Sequence, residues 1–249
     1  MVTIGVYGTQ GNDTINVVVA SPTPAITGVD NAGSFQAGIA PATWIAIFGT
    51  SLAQSTYTWQ PSDIVNGALP TVLQGVSVTI DGKPAYVEYV SPTQINVLAP
   101  DDATTGSVNV QITANGVVSN TFSATEAEFA PAFFASNGIV AAEHANYSVI
   151  GASNPAAPGE TILLYGTGFG PTSPASPAGQ TVSMTAALSN AVQMTIGGVP
   201  VTPAFAGLVE SGVYQFNVTV PSTLSSGNAA VVATIGGIST QSDVSIPVN

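Results

Sequence analysis

The sequence predicts an all-β protein built as two tandem antiparallel β-sandwich domains, and three observations predict it. First, one motif is written twice: Ala40-Pro41 leads into Ile45-Ala46-Ile47-Phe48-Gly49-Thr50, and Ala157-Pro158 leads into Ile162-Leu163-Leu164-Tyr165-Gly166-Thr167. Second, the correspondence continues at nearly constant spacing. Val78-Thr79-Ile80-Asp81-Gly82 answers Met194-Thr195-Ile196-Gly197-Gly198, and Gln94-Ile95-Asn96-Val97 answers Gln215-Phe216-Asn217-Val218. Small changes in offset between matched segments are changes in loop length. Third, short β-branched runs alternate in polarity and are bounded by Gly, Pro, Asn and Asp, whereas helix signals are scarce.

Taken in order, residues 1–21 read as an N-terminal β-hairpin, with Thr14-Ile15-Asn16-Val17-Val18-Val19 after a Gly8 to Asp13 turn. It has the shape of the closing segment of either repeat. It is therefore expected to be the last hairpin of a preceding domain or an edge and donor segment of the first sandwich. Ser21-Pro22-Thr23-Pro24 forms a stiff connection, because each proline fixes φ and restrains its predecessor. Domain 1 is expected over residues 22–126 and domain 2 over residues 127–249, each of a size that suits an Ig-like sandwich. Val76, Val78 and Ile80 should face one side of a strand and Ser77 and Thr79 the other. Asp81-Gly82 and Gly197-Gly198, between β-rich flanks, mark tight hairpin turns.

Composition narrows the function. A single cation, Lys83, faces thirteen Asp and Glu, giving a net charge of −12 and a pI near 4.1. Such a chain repels nucleic-acid phosphates and anionic lipid surfaces alike. Mean hydropathy is +0.40, yet no apolar run approaches the ~18 residues of a membrane-spanning helix. With no cysteine there are no disulfides and no thiol chemistry. Stability must come from buried aliphatic and aromatic side chains and from backbone ladders.

Asn154-Pro155-Ala156-Ala157-Pro158-Gly159-Glu160, Leu164 to Pro171 and Val213 to Pro221 resemble the C-terminal module of large Solibacter-type acidobacterial surface proteins. Val29 to Phe35, Ile47 to Thr50 and Ser91 to Val97 resemble its usual partner module. Each half is also similar to the IPT/TIG branch of Ig-like folds. The resemblance implies a secreted or cell-surface location and no catalytic residue.

The residues that carry chemistry agree. His144 is the only histidine, and its neighbour Glu143 would point to the opposite face of a strand. Gly166-Thr167-Gly168-Phe169-Gly170 imitates a phosphate loop but precedes Pro171 rather than a helix. The carboxylates that glycoside hydrolysis would need, among them Asp63, Glu88, Glu160 and Glu210, are scattered along the chain. Calcium is the one metal the sequence invites, at Asp101-Asp102 after Pro100 or at Asn12-Asp13. Lys83 reads as an exposed turn lysine. Tyr57 and Trp59, two apart on an extended segment, share a face and offer a stacking surface for a ligand such as a glycan, against the alternative of packing on their own domain. Trp44 reads as core.

The expected function is a non-catalytic extracellular structural module: a stalk, a surface spacer or a subunit of an extracellular assembly, whose partners are other protein subunits or upstream domains of the same protein. An adhesive or carbohydrate-binding module is the alternative, and a hydrolase stands third.

Overall fold

In a computed structural model of the chain, the structure describes residues 22–249; the expected hairpin of residues 1–21 lies outside the described residues. The architecture is all-β. Thirteen strands of four or more residues carry it: β1 (Ala25–Asn31), β2 (Trp44–Thr50), β3 (Val76–Ile80), β4 (Tyr86–Val90), β5 (Gln94–Leu98), β6 (Gly106–Ala114), β7 (Phe122–Glu126), β8 (Thr161–Thr167), β9 (Gln193–Ile196), β10 (Phe205–Glu210), β11 (Val213–Thr219), β12 (Gly227–Ile235) and β13 (Ser245–Val248). The other strands span two or three residues.

Four sheets result. In the N-terminal half β1-β2-β5-β4 run in order in one sheet, and β7-β6-β3 in the other. In the C-terminal half β8-β11-β10 form the centre of one sheet and β13-β12-β9 of the other. Each pair of sheets encloses its own core. Ile45, Ile47, Val78, Ile80, Ile95 and Ile112 fill the first; Phe133, Phe169 and Phe216 stack in the second, with ring centroids 4.5 Å to 5.8 Å apart. In β3 the expected alternation holds, with Val76, Val78 and Ile80 buried and Ser77 and Thr79 between them half-buried.

The repeat is reproduced in hydrogen-bond detail. Ile39 bridges Glu126 in parallel, and Ala156 bridges Val248 in the same way, so in each half the segment before the long second strand closes the sandwich against the last strand. The backbone N–H of Ile112 donates to Ser119 Oγ at 3.0 Å, and that of Ala233 to Thr240 Oγ1 at 3.1 Å. Gly49 and Gly166 occupy matched positions where a Cβ would lie 2.1 Å and 2.5 Å from the carbonyl oxygens of Ala25 and Ala132. Only glycine lets the neighbouring strand approach so closely. Asp81-Gly82 and Gly197-Gly198 turn with positive φ at both residues, as the hairpin reading requires.

Two β-bulges border the junction, one in each half and at different rungs of the repeat; a further register shift lies between β1 and β2, at Ile26/Gly28. Pairing of β4 with β5 skips Glu88, between Val87 and Tyr89, and pairing of β10 with β11 skips Val209, between Leu208 and Glu210. A bulge bends its strand and re-aims the side chains beside it.

Candidate binding cleft between the sandwiches

Trp44, Ile45, Ala46 and Ile47 are consecutive and all buried. Side chains alternate along a strand, so both faces of β2 are covered. Ile45 and Ile47 face the sandwich core. Trp44, by contrast, joins a separate cluster with Leu69, Leu98 and Ala178, against which Phe134 and Val213 also pack. The tryptophan expected in a domain core is instead the centre of the junction between the two halves.

Directed bonds hold this junction. Trp44 donates its backbone N–H to Thr167 Oγ1 and its indole N–H to the Ser211 carbonyl, each at 3.0 Å. Asn31 Nδ2 donates to the Ala130 carbonyl at 2.7 Å. Gln241 Nε2 donates to Phe133 O and Gly33 O. Residues 178–181 reach from the C-terminal half as an arm: Leu69 N–H donates to Gly179 O at 2.8 Å, and Thr181 N–H to Gly67 O at 2.7 Å. Gly179 lies flat on the Tyr86 ring, where a Cβ would meet ring carbons at 2.0 Å, and Gly212 lies against Trp44 and Leu98.

A cleft of about 530 Å³ opens beside this contact, lined by Trp44, Trp59, Glu88, Asn96, Glu210 and Ser211 among others. The indoles of Trp44 and Trp59 meet edge to face, with centroids 5.8 Å apart at 77°. Trp59 is half-buried, its backbone N–H donating to Glu88 O at 2.8 Å, so the bulge and the tryptophan position each other. Burial raises the Glu88 carboxyl above the usual carboxylate range, opposed by the Asn96 amide. A second junction crevice, about 550 Å³, is lined by Asp101, Asp102, Pro177, Leu208 and Tyr214. Its one aromatic, Tyr214, is buried with its hydroxyl donating inward to Gly170 O, so it offers no stacking face.

The residues singled out in the sequence are thereby distributed. Tyr57 and Trp59 both pack against the first core, Tyr57 with its hydroxyl donating to Asp63 Oδ2 at 3.0 Å, and Trp59 also lines the cleft. Asp101 accepts the Ala178 N–H on Oδ2 at 2.9 Å, which fixes the arm. Asp102 accepts Lys83 Nζ on Oδ1 at 2.8 Å and the Thr104 N–H and hydroxyl, and the lysine holds its carboxyl down to about 2. Among the described residues, no three His, Asp or Glu converge on a metal position. Asp102 Oδ2 and both Glu126 oxygens are buried without a hydrogen-bond partner. Burial, with Asp102 and Asp81 nearby, pushes the Glu126 carboxyl up to about 7.

Glu143 and His144 point apart as alternation requires. Glu143 accepts from the Tyr165 hydroxyl at 2.8 Å, whereas His144 Nδ1 lies 3.1 Å from Glu160 Oε1. Ser148 turns its hydroxyl to Asn146 Oδ1, not to the imidazole. In the glycine-rich segment Phe169 is wholly buried, and Gly168 and Gly170 turn the chain with positive φ.

Geometry thus defines a tandem β-sandwich module with a cleft at its junction. Residues 24–129 match the IPT/TIG domain family. No curated protein matches the chain. Among solved structures it is similar to the surface glycan-binding protein PbSGBP-B of Prevotella bryantii, at 11% identity and a TM-score of 0.27 over 89% of this chain and 42% of that one. It is similar also to a Bacteroides ovatus SGBP-B in complex with a mixed-linkage heptasaccharide, at 14% identity and a TM-score of 0.34 over 85% and 43%. The plexin A4 extracellular region matches at 14% identity and a TM-score of 0.28 over 91% and 18%. The chain spans less than half the length of each, and similarity at this level assigns neither ligand nor partner.

Proposed function

We propose that this chain is a non-catalytic extracellular module in which two sandwiches are locked as one rigid spacer within a secreted or cell-surface protein. The observation that supports it most directly is the arm of residues 178–181, which ladders onto Gly67 and Leu69 and is pinned by Asp101. A free linker would leave Trp44 and Leu98 exposed; here both are buried, and burying a side chain of that size stabilises by roughly 1.5–3 kcal/mol. The absence of a catalytic role is supported by where the carboxylates go. Asp63, Asp101, Asp102, Glu143 and Glu160 are each engaged by a tyrosine, backbone, lysine or histidine partner. Partners at either end would be further domains or subunits joined in line.

Residual dipolar couplings on the full chain test the reading. One alignment tensor shared by both halves is the expected result. Two independent tensors would make the chain a flexible tether and remove the spacer.

A further inference from the structure

The geometry points to the junction cleft as a binding site for a short neutral oligosaccharide. The two bulges carry this inference. They fall at different rungs of the two halves, yet they serve one place: Glu88 at the first and Glu210 beside the second line the same cleft, from opposite sandwiches. Bulges interrupt a ladder and leave backbone groups without their regular partners, so they are retained where they aim a side chain. Two of them converging on one cavity make a built site rather than a packing defect.

Its contents select the ligand. The volume lies within the ~300–1,000 Å³ range of small-molecule sites. Indole surface lies beside hydroxyl, amide and carboxylate groups, and a pyranose presents the same two characters, an apolar C–H face and a rim of hydroxyls. Glu88 beside Asn96 offers an acceptor and a donor on adjacent strands, and Glu210 and Ser211 add acceptors from the other wall. Among the described residues the Trp59 indole N–H makes no hydrogen bond.

Charge excludes most alternatives. Uronates, sialylated and sulfated sugars would meet Glu88 and Glu210 with no compensating cation, because Lys83, the only Lys or Arg of the chain, is bound to the Asp101-Asp102 loop. An organic cation is the competing ligand, because an indole face beside two carboxylates attracts one. The edge-to-face contact of Trp44 and Trp59 covers one face with the other ring's edge and leaves a stacking surface instead of a cage. This site is independent of the spacer reading, which survives if the cleft binds nothing.

The test is calorimetric titration of the full chain with neutral hexaoses (β-glucan, xylan, mannan and chitin series), with an oligogalacturonate and with tetramethylammonium. The expected result is saturable binding of one neutral series with a shift in tryptophan emission. Trp59→Ala should weaken it by about tenfold or more, the loss of a stacking contact. Glu210→Gln, at an exposed position, should weaken it several-fold with the melting temperature unchanged. Because Trp59→Ala also removes packing, Trp59→Phe is the folding-safe variant and should bind at intermediate strength. No neutral series bound, binding indifferent to both Trp59→Phe and Glu210→Gln, or binding of tetramethylammonium in preference to sugars would each overturn the proposal.

Discussion

The indole nitrogen of Trp44 donates to the carbonyl of Ser211 across 167 residues of chain, and it does so from a buried position. Truncating Trp44 to Ala should cost about 3–5 kcal/mol through lost burial and the cavity left behind. Trp44→Phe keeps most of the volume but orphans the Ser211 carbonyl, at about 1–2 kcal/mol. Calorimetry checks both. A single transition in the wild type should split in Trp44→Ala as the halves unfold separately.

Gly179→Leu addresses the arm. A side chain there would drive into the Tyr86 ring, and φ of +76° already disfavours any residue with a Cβ. The expected result is release of the arm without unfolding of either sandwich. Amide exchange should accelerate at Leu69 and Thr181 while the β3 and β12 amides keep their protection. Uniform loss of protection would show instead that the arm is integral to folding.

Glu126 predicts a pH dependence. Its carboxyl rises from an ordinary 4.5 to about 7 in the folded chain. The folded state therefore holds a proton that the unfolded state releases between those values, and stability present below pH 4.5 is lost as pH rises through 7. The loss should amount to about 2–3 kcal/mol. Urea denaturation at pH 5 and pH 8 measures it, and Glu126→Gln should flatten the difference. Equal midpoints for the wild type at both pH values would contradict the assignment.

Asp102 has the opposite sign. Its carboxyl is lowered from 3.8 to about 2, so the stability it contributes is present above pH 3.8 and lost as pH falls through 2. Lys83→Met removes the one cation that neutralises it and should destabilise by about 1 kcal/mol or less, since Lys83 is half exposed and Thr104 still donates to Oδ1. The same pair bears on calcium. The metal expected at Asp101-Asp102 would have to displace Lys83 from Oδ1 and the Ala178 N–H from Asp101. Millimolar calcium should therefore leave the wild-type melting temperature unchanged and raise that of Lys83→Met. A calcium-dependent rise in the wild type that disappears in Asp102→Asn would support the metal reading.

The two sandwiches were legible because a repeat and its Gly-containing turns are local features: Gly49 answers Gly166, and Asp81-Gly82 answers Gly197-Gly198. The junction was not. Trp44 and Ser211 share no periodicity and no motif, and an aromatic on a strand reads the same whether it faces its own domain or another. Trp59 was picked out with Tyr57 by strand alternation, and both pack on the first core, but alternation within one strand carries nothing about the second sandwich that walls the cleft beside Trp59. The bulges were invisible for a related reason: an extra residue alters register only relative to a partner strand.

The arm has one further consequence. Among the described residues, the second sandwich extends the segment 178–181 and the first offers Gly67 and Leu69 to receive it, so the two copies act as donor and acceptor. Duplicating either alone would leave an arm with nothing to grip or a seat with nothing in it. The heritable unit from which a longer array could grow is therefore the pair.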